Sequence, residues 1–247
     1  MIPPKMIHAL VPYYNYIEGV RKIEQSLSRH RNIFFCTVSN DSNESECEIG
    51  EDWIEGPRDG AVKNWNFLLS KVKAKHFVLI HQDEELVLSE KISTVTLSPG
   101  IVYVCDLSIK TKKFQIYLPN NFRCFLINNF PKLIYTINFI GPTATLIIPN
   151  NDLRFNEKIN WLVDVDYYYR LRQKYRFEAI NYMLVKSDAR VSQSITNSGK
   201  LGGISKLRKK ELQLLGIKNY FGVPIFLRIV WHLYRMLKIR KNISSEY

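Results

Sequence analysis

Short apolar segments alternate with amphipathic ones in the first third of the chain, and this order limits the fold more than any other feature. Residues 6–12 (MIHALVP), 32–40 (NIFFCTVSN) and 76–80 (HFVLI) predict β-strands, the last of them covered on both faces. Residues 15–30 and 59–72 carry apolar side chains at helical spacing. Strands and helices in this order predict an α/β fold with a mostly parallel sheet flanked by helices.

Polar residues stand where the two helices should begin. Asn15 precedes the first helix and has Glu18 three residues later, which is the spacing of a capping box. Asp59 precedes the second helix. We therefore expect Asn15 and Asp59 to cap these helices with their side chains.

The second half of the chain is less regular. Residues 100–109 (GIVYVCDLSI) and 113–118 (KFQIYL) predict a β-hairpin, and 143–149 (TATLIIP) predicts another strand. A helix over 161–175 and a late strand over 177–185 follow. The chain of 247 residues is 46% hydrophobic, enough for one large domain with an appendage, and disorder is not expected.

Positive charge is concentrated at the C-terminal end. Lys and Arg number 35 against 23 Asp and Glu, a net charge of +12, yet eleven Lys or Arg and one acid, Glu211, fall between Lys200 and Lys241. Two basic helices separated near Gly222 and Pro224 are predicted there. This asymmetry favours contact with an anionic surface, phospholipid or nucleic acid, although a solvated basic helix would have the same composition.

Four cysteines, Cys36, Cys47, Cys105 and Cys124, have neither the C-x-x-C spacing nor the nearby histidines of a zinc site. They are predicted to be reduced thiols, with Cys36 and Cys105 buried in strands. The apolar stretch at the N-terminus is too short for a signal peptide or a membrane span. These features predict a cytoplasmic protein.

Three polar clusters follow predicted strands: PYYN at 12–15, SNDSNES at 39–45 and HQDEE at 81–85. Ligands of open α/β sheets bind beyond the carboxyl ends of the strands, so the clusters should converge. Asp83 could supply an oxygen ligand to Mg²⁺ or Mn²⁺, with substrate phosphates and water completing the shell. A turn begun by Asp83 or Glu84 is the simpler alternative.

With VKNWN at 62–66 and the segment 141–171 (GPTATLIIPNNDLRFNEKINWLVDVDYYYRL), these clusters resemble, in order, the motifs of inverting family 2 glycosyltransferases, which have the GT-A fold. The resemblance covers about residues 6–190 and is to members that build bacterial surface polysaccharides. It implies a GT-A domain over 1–200, with a nucleotide-sugar half at about 1–100 and an acceptor half at about 101–200. A basic helical tail over 201–247 would follow.

The resemblance implies roles for ten residues. Tyr14 would stack on the nucleotide base, Asp41 would bind the base or ribose, and Lys63 would lie near the diphosphate. Asp83 would hold the metal, and Asp164 would be the general base. The full set is donor-binding Pro12, Tyr14, Asp41, Lys63, Asn64 and Gln82, metal-binding Asp83, catalytic Asp164, and acceptor-binding Trp161 and Asp166.

Structural roles compete with some of these. Tyr14 could cover the sheet edge, and Asp164 and Asp166 could be acids favoured by the dipole of a first helical turn. The chain also departs from the family pattern at Asn40, His81 and Val163, where the family has acidic residues. His81 leaves Asp83 as the remaining acid of the metal motif, with Glu84 as a possible helper.

The function implied is transfer of a sugar, with inversion, from a nucleotide sugar, a UDP-sugar being favoured, to a saccharide or lipid-linked acceptor. O-antigen or capsule synthesis at the inner face of the membrane is the implied setting. Residues 223–241 have an apolar stripe and a basic face, which predicts contact with an anionic membrane surface, unless the stripe packs on the protein's own core. The alternatives are a non-catalytic nucleotide-binding relative and a basic nucleic-acid-binding protein, although no nucleic-acid motif is present.

Overall fold

Parallel strands form one half of the sheet, as the alternation of elements predicts. The computed structural model describes residues 7–42, 52–110, 115–188 and 201–217. The elements of the first half are β1 (Ile7–Tyr13), α1 (Ile17–Ser28), β2 (Phe34–Asn40), β3 (Trp53–Glu55), α2 (Ala61–Ser70) and β4 (His76–Leu79). β1 pairs in parallel with β2 and β4, and β2 with β3.

The other half of the sheet is mostly antiparallel. Its elements are β5 (Glu84–Leu88), β6 (Ile101–Lys110), β7 (Gln115–Leu118), α3 (Asn120–Asn129), β8 (Leu146–Pro149), α4 (Val163–Lys174) and β9 (Arg176–Asp188), followed by α5 (Leu201–Leu214). Within the described residues the sheet order is β3-β2-β1-β4-β8-β6-β9-β5, and β7 pairs with β6.

The prediction of a mostly parallel sheet is therefore wrong for the second half. β8 is antiparallel to both β4 and β6, β7 is antiparallel to β6, and β5 is antiparallel to β9, whereas β6 and β9 are parallel. A parallel pair needs a long crossover, and only four residues separate β6 from β7, so that pair has to be a hairpin. The predicted hairpin and late strand are confirmed.

The strand register brings the polar clusters to one edge. Tyr13 lies opposite Asn40 in the β1–β2 pair, and Leu10 lies opposite Leu79 in the β1–β4 pair. The segments that follow β1, β2 and β4 therefore leave the sheet on the same side. Residues 43–45 of the second cluster lie outside the described residues.

Neither predicted helix cap is formed. α1 begins after Tyr16 without a side-chain cap, and Asn15 has a left-handed backbone with φ of 56°. α2 begins after Gly60, whose φ of 93° suits glycine, again without a side-chain cap. Asp59 instead forms an ion pair with Lys63 one turn later.

The cysteines and the tail agree in part with expectation. Cys105 is buried, whereas Cys36 is only partly buried, and both are free, as is Cys124. The first of the two predicted basic helices is α5, while residues 223–241 and Cys47 lie outside the described residues. In the part of the chain that the structure describes, no helix is long and apolar enough to cross a membrane.

Gly19 in α1 allows the helix to pack against the turn that carries Asp83. A Cβ atom there would lie 1.8 Å from the carbonyl oxygen of Gln82 and 2.7 Å from the Tyr16 ring. Alanine usually stabilises a helix interior by about 0.5–1 kcal/mol. We expect Gly19→Ala to lower the free energy of unfolding by about 1–3 kcal/mol instead, because the backbone of the turn must move. Urea unfolding measures this.

Gly100→Ala is the matched control, because a Cβ atom at Gly100 meets nothing within 4 Å. It should leave stability nearly unchanged. Equal stability of the two variants would show that α1 and the turn are not packed as described.

Candidate active site

A cavity of about 960 Å³ opens at the edge of the sheet where β1, β2 and β4 end. Its volume is in the range of pockets that bind small molecules and cofactors. The first half of the chain contributes the segments after these strands and the start of α2, and the second half contributes residues around 134–142 and 160–165. Eight of the ten predicted site residues line it: Pro12, Tyr14, Asp41, Asn64, Gln82, Asp83, Trp161 and Asp164.

Asp164 lies in the first turn of α4 and faces the cavity. The residue is partly exposed there, but its Oδ1 atom is buried and has no hydrogen-bond partner among the described residues. Burial raises the pKa of this carboxyl group from its usual value to about 7. A helix N-terminus would favour the charged form, so desolvation outweighs the helix dipole here. A carboxyl group with this pKa can exchange a proton at neutral pH.

Asp83, in the turn after β4, and Glu84, the first residue of β5, also line the cavity. Glu84 is 5% exposed, and its Oε2 atom accepts a hydrogen bond from the backbone N–H of His81 at 2.8 Å. Burial raises the pKa of Glu84 well above its usual value, and the charges of Asp83 and then Asp164 add to the effect. Glu84 is thus close enough to sense both aspartates, which places the three carboxyl groups around one space.

His81 fills the position where the resembling family has an acid. Its Nε2 atom lies 3.0 Å from Thr143 Oγ1, and its ring meets the Trp65 ring edge-on with 5.0 Å between centroids. Burial lowers the pKa of His81, opposed by the charge of Asp83. Among the described residues, no group of three His, Cys, Asp or Glu is placed to hold a metal ion.

A metal held at Asp83 would therefore depend on the substrate for most of its ligands. Mg²⁺ is commonly bound by one or two carboxylates together with substrate phosphates and water. Asp83 faces the cavity, and Glu84, which already binds the His81 amide, also lines it. This oxygen donor set fits Mg²⁺ or Mn²⁺ only in combination with phosphate oxygens.

Tyr14 and Gln82 both line the cavity and are joined by two hydrogen bonds. The N–H of Tyr14 donates to Gln82 Oε1 at 2.8 Å, and Gln82 Nε2 donates to the Tyr14 carbonyl at 2.6 Å. The Gln82 amide thus contacts the Tyr14 backbone, and because Gln82 lines the cavity its role in donor binding stays a prediction. The Tyr14 side chain is 62% exposed, so its ring can stack on a planar ligand.

Asp41 and Asn64 are also fixed by neighbours. Asp41 Oδ1 accepts a hydrogen bond from the Arg58 N–H at 2.6 Å, and burial raises the pKa of Asp41 despite the opposing effect of Arg58. Asn64 is 2% exposed, and its Oδ1 atom accepts from the Ser39 hydroxyl at 2.5 Å.

Two predicted site residues do not line the cavity. Lys63 is exposed on α2, and its hydrogen bond and ion pair with Asp59 raise its pKa. Asp166 is 4% exposed and accepts a hydrogen bond from Arg170 Nε at 2.8 Å. The cations that do line the cavity are Arg58 and Arg208, which sequence reasoning missed.

The sequence around the missed residues gives little indication that they line a cavity. Arg58 follows Gly56 and Pro57 in an irregular stretch, and Arg208 is one of many cations in the basic segment. Other missed lining residues belong to a stretch without a recognisable motif: Ile134, Tyr135, Thr136 and Asn138. Pro142 also lines the cavity and lies in the segment 141–171, but no role was predicted for it.

The mixed sheet and its flanking helices together correspond to a GT-A-like α/β fold. No model of a known protein family matches the chain, and no curated protein matches it in sequence. Solved structures of TarS from S. aureus share the fold.

The TarS 1-349 crystal structure in complex with UDP-GlcNAc superposes with a TM-score of 0.57 at 13% identity, over 82% of this chain and 64% of that one. The complex with UDP superposes with a TM-score of 0.54 at 13% identity, over 73% of this chain and 60% of that one. Another crystal structure of TarS 1-349 superposes with a TM-score of 0.52 at 15% identity, over 72% of this chain and 60% of that one. The chain thus spans about 60% of the length of these TarS fragments.

Burial of Asp164 predicts how stability depends on pH. The folded protein holds this proton up to about pH 7, whereas an unfolded aspartate releases it at about pH 4. Between these values the folded state binds more protons, so the contribution of Asp164 to stability falls as the pH rises. We expect Asp164→Asn to be about 1–3 kcal/mol more stable than wild type at pH 8 and similar to it at pH 4.

Urea unfolding at the two pH values checks this, with Asp152→Asn, at an exposed aspartate, as control. The control should show no pH-dependent gain. An Asp164→Asn variant that gains nothing at pH 8 would mean that the carboxyl group is well solvated.

Proposed function

We propose that the protein is an inverting glycosyltransferase that moves a sugar from a nucleotide sugar, most favourably a UDP-sugar, to a hydroxyl group of a saccharide. The observation that carries this proposal is the placement of Asp83 and Asp164 on one cavity, with a pKa of about 7 for Asp164. The fold shared with TarS, of which one crystal structure is a complex with UDP-GlcNAc and another a complex with UDP, supports a nucleotide-sugar donor.

Asp164 acts as the general base in this proposal. Its carboxylate removes the proton of the acceptor hydroxyl while that oxygen attacks the anomeric carbon. The new C–O bond forms on one face of the sugar as the bond to the nucleoside diphosphate breaks on the other, which inverts the configuration. The carboxyl group is half ionised at about pH 7, so transfer should lose activity as the pH falls below that value.

Charge on the departing diphosphate needs compensation from the opposite side of the cavity. Asp83 would hold Mg²⁺ or Mn²⁺, and the ion would neutralise charge on the leaving group. Arg58 and Arg208 line the same cavity and add positive charge. Tyr14, fixed by Gln82, would stack on the nucleotide base.

The acceptor would approach from the side of Trp161, which lines the same cavity as Asp164. A saccharide or lipid-linked saccharide is the proposed acceptor, because sugars can stack their apolar faces on aromatic rings. The sequence resemblance favours bacterial O-antigen or capsule synthesis as the setting. Residues 223–241 would keep the enzyme at the anionic inner membrane surface. Sedimentation with anionic vesicles, comparing the full chain with one ending at residue 222, tests the membrane contact.

The general-base role predicts a selective loss in Asp164→Asn. Transfer from the preferred UDP-sugar should fall by about 10²–10⁴-fold, because the side chain can no longer accept the proton. Calorimetry should show UDP binding within about threefold of wild type, a change of about 0.7 kcal/mol or less. Loss of binding together with transfer would contradict the role.

Asp83→Asn separates the metal from the base. This variant should lose the Mn²⁺-dependent part of UDP affinity, whereas Asp164→Asn should keep it, because Asp83 and not Asp164 is the proposed ligand. A wild-type protein that binds UDP without transferring or hydrolysing any of a panel of UDP-, GDP-, CDP- and dTDP-sugars would instead be a non-catalytic nucleotide-binding relative.

A further inference from the structure

Glu211 in α5 binds a backbone turn far away in sequence. Its carboxylate accepts hydrogen bonds from three consecutive backbone N–H groups: Asn160 at 2.8 Å, Trp161 at 3.0 Å to each oxygen, and Leu162 at 2.8 Å. The side chain is buried, and Glu211 is only 2% exposed. Burying a carboxylate costs free energy unless it is hydrogen-bonded, and these backbone N–H groups compensate the burial of the Glu211 carboxylate.

The turn that Glu211 binds leads directly into the helix carrying the proposed base. Leu162 is the N-cap residue of α4 and makes no side-chain cap of its own. Backbone N–H groups at the start of a helix need acceptors from elsewhere. Glu211, on a different helix, supplies acceptor oxygens to the N–H of Leu162, two residues before Asp164, and to the N–H of Trp161.

Arg208, one turn earlier in α5, binds a second segment of the cavity wall. Its Nη2 atom donates to the carbonyl oxygens of Tyr135 at 2.6 Å and Thr136 at 3.3 Å. Arg208, Tyr135 and Thr136 all line the cavity. The helix also packs apolar side chains, including Leu212, against the core. α5 therefore connects two walls of the cavity.

We propose that Glu211 is a positioning residue, which holds the turn 160–162 so that Asp164 and Trp161 keep their places in the cavity. This inference rests on the proposed function for its effect on transfer. α5 is then part of the active site, although its sequence looks like the start of a basic tail. The raised pKa of Asp164 comes from burial, which the fixed turn maintains.

Glu211→Gln tests the inference with little change of shape. Glutamine keeps one acceptor oxygen but places an NH₂ group against backbone N–H groups, which cannot pair with it. We expect hydrogen exchange of the amides of residues 160–162 to become about tenfold or more faster, and kcat for transfer to fall about tenfold or more. UDP affinity should stay within about twofold, because the first half of the chain carries most of the proposed donor contacts.

Lys210→Gln is the matched control, since it changes an exposed neighbour on the same helix. It should leave exchange at 160–162 and kcat unchanged. Glu211→Asp keeps the charge on a shorter side chain, and its exchange and kcat should lie between those of wild type and Glu211→Gln. If Glu211→Gln does not fold, Glu211→Asp takes its place in the comparison.

Two results would overturn the proposal: exchange and kcat like wild type in the Glu211 variants, or faster exchange spread evenly over the whole chain. The second result would mean that Glu211 only adds general stability. Failure of the proposed function would look different, because wild type itself would neither bind UDP nor transfer sugar. Exchange at residues 160–162 would still decide whether Glu211 holds the turn.

Discussion

Carboxyl groups crowded around one cavity are the constraint on which the rest of the structure depends. Glu84 is affected by the charges of Asp83 and Asp164, and burial raises the pKa of both Glu84 and Asp164. Like charges in a partly desolvated space destabilise one another, so this arrangement needs protons, a cation or a cationic ligand to be stable. A fold that keeps such groups together gives up stability at a place where charge can be used in catalysis.

The surrounding scaffold holds the segments that carry these groups in place around the cavity. On the side formed by the first half of the chain, Gly19 lets α1 approach the carbonyl of Gln82, and the Gln82 amide in turn fixes the Tyr14 backbone. On the other side, Glu211 binds the turn before Asp164. Each wall is thus held by contacts between segments that are distant in sequence.

Sequence periodicity was sufficient to predict the helices and strands in which the spacing of apolar residues matches the buried face. β1, β2, β4, α1 and α2 were expected from apolar spacing, with ends within a few residues of those observed. β5 was not expected, because it begins with two acidic residues, Glu84 and Glu85, and its partner strand β9 lies about a hundred residues later in the sequence. α3 was missed as well, since NNFRCFLINN has low helix propensity and encloses the fully buried Arg123.

In the candidate site, too, residues within sequence motifs could be predicted, whereas residues placed by tertiary contacts could not. Asp83 and Asp164 follow recognisable motifs, so their position on one cavity could be predicted, although their roles stay proposals. The helix caps at Asn15 and Asp59 were wrong because local spacing does not reveal a left-handed residue or a competing ion pair. Arg208 and Glu211 could not be predicted, because their partners are set only by the docking of α5.

A structure of the protein with Mn²⁺ and a non-hydrolysable UDP-sugar analogue would test the central claim most directly. We predict that the diphosphate lies in the cavity, with the metal bound to Asp83 and the anomeric carbon facing Asp164. A nucleotide bound elsewhere, or a sugar held away from Asp164 with the cavity empty, would contradict the account.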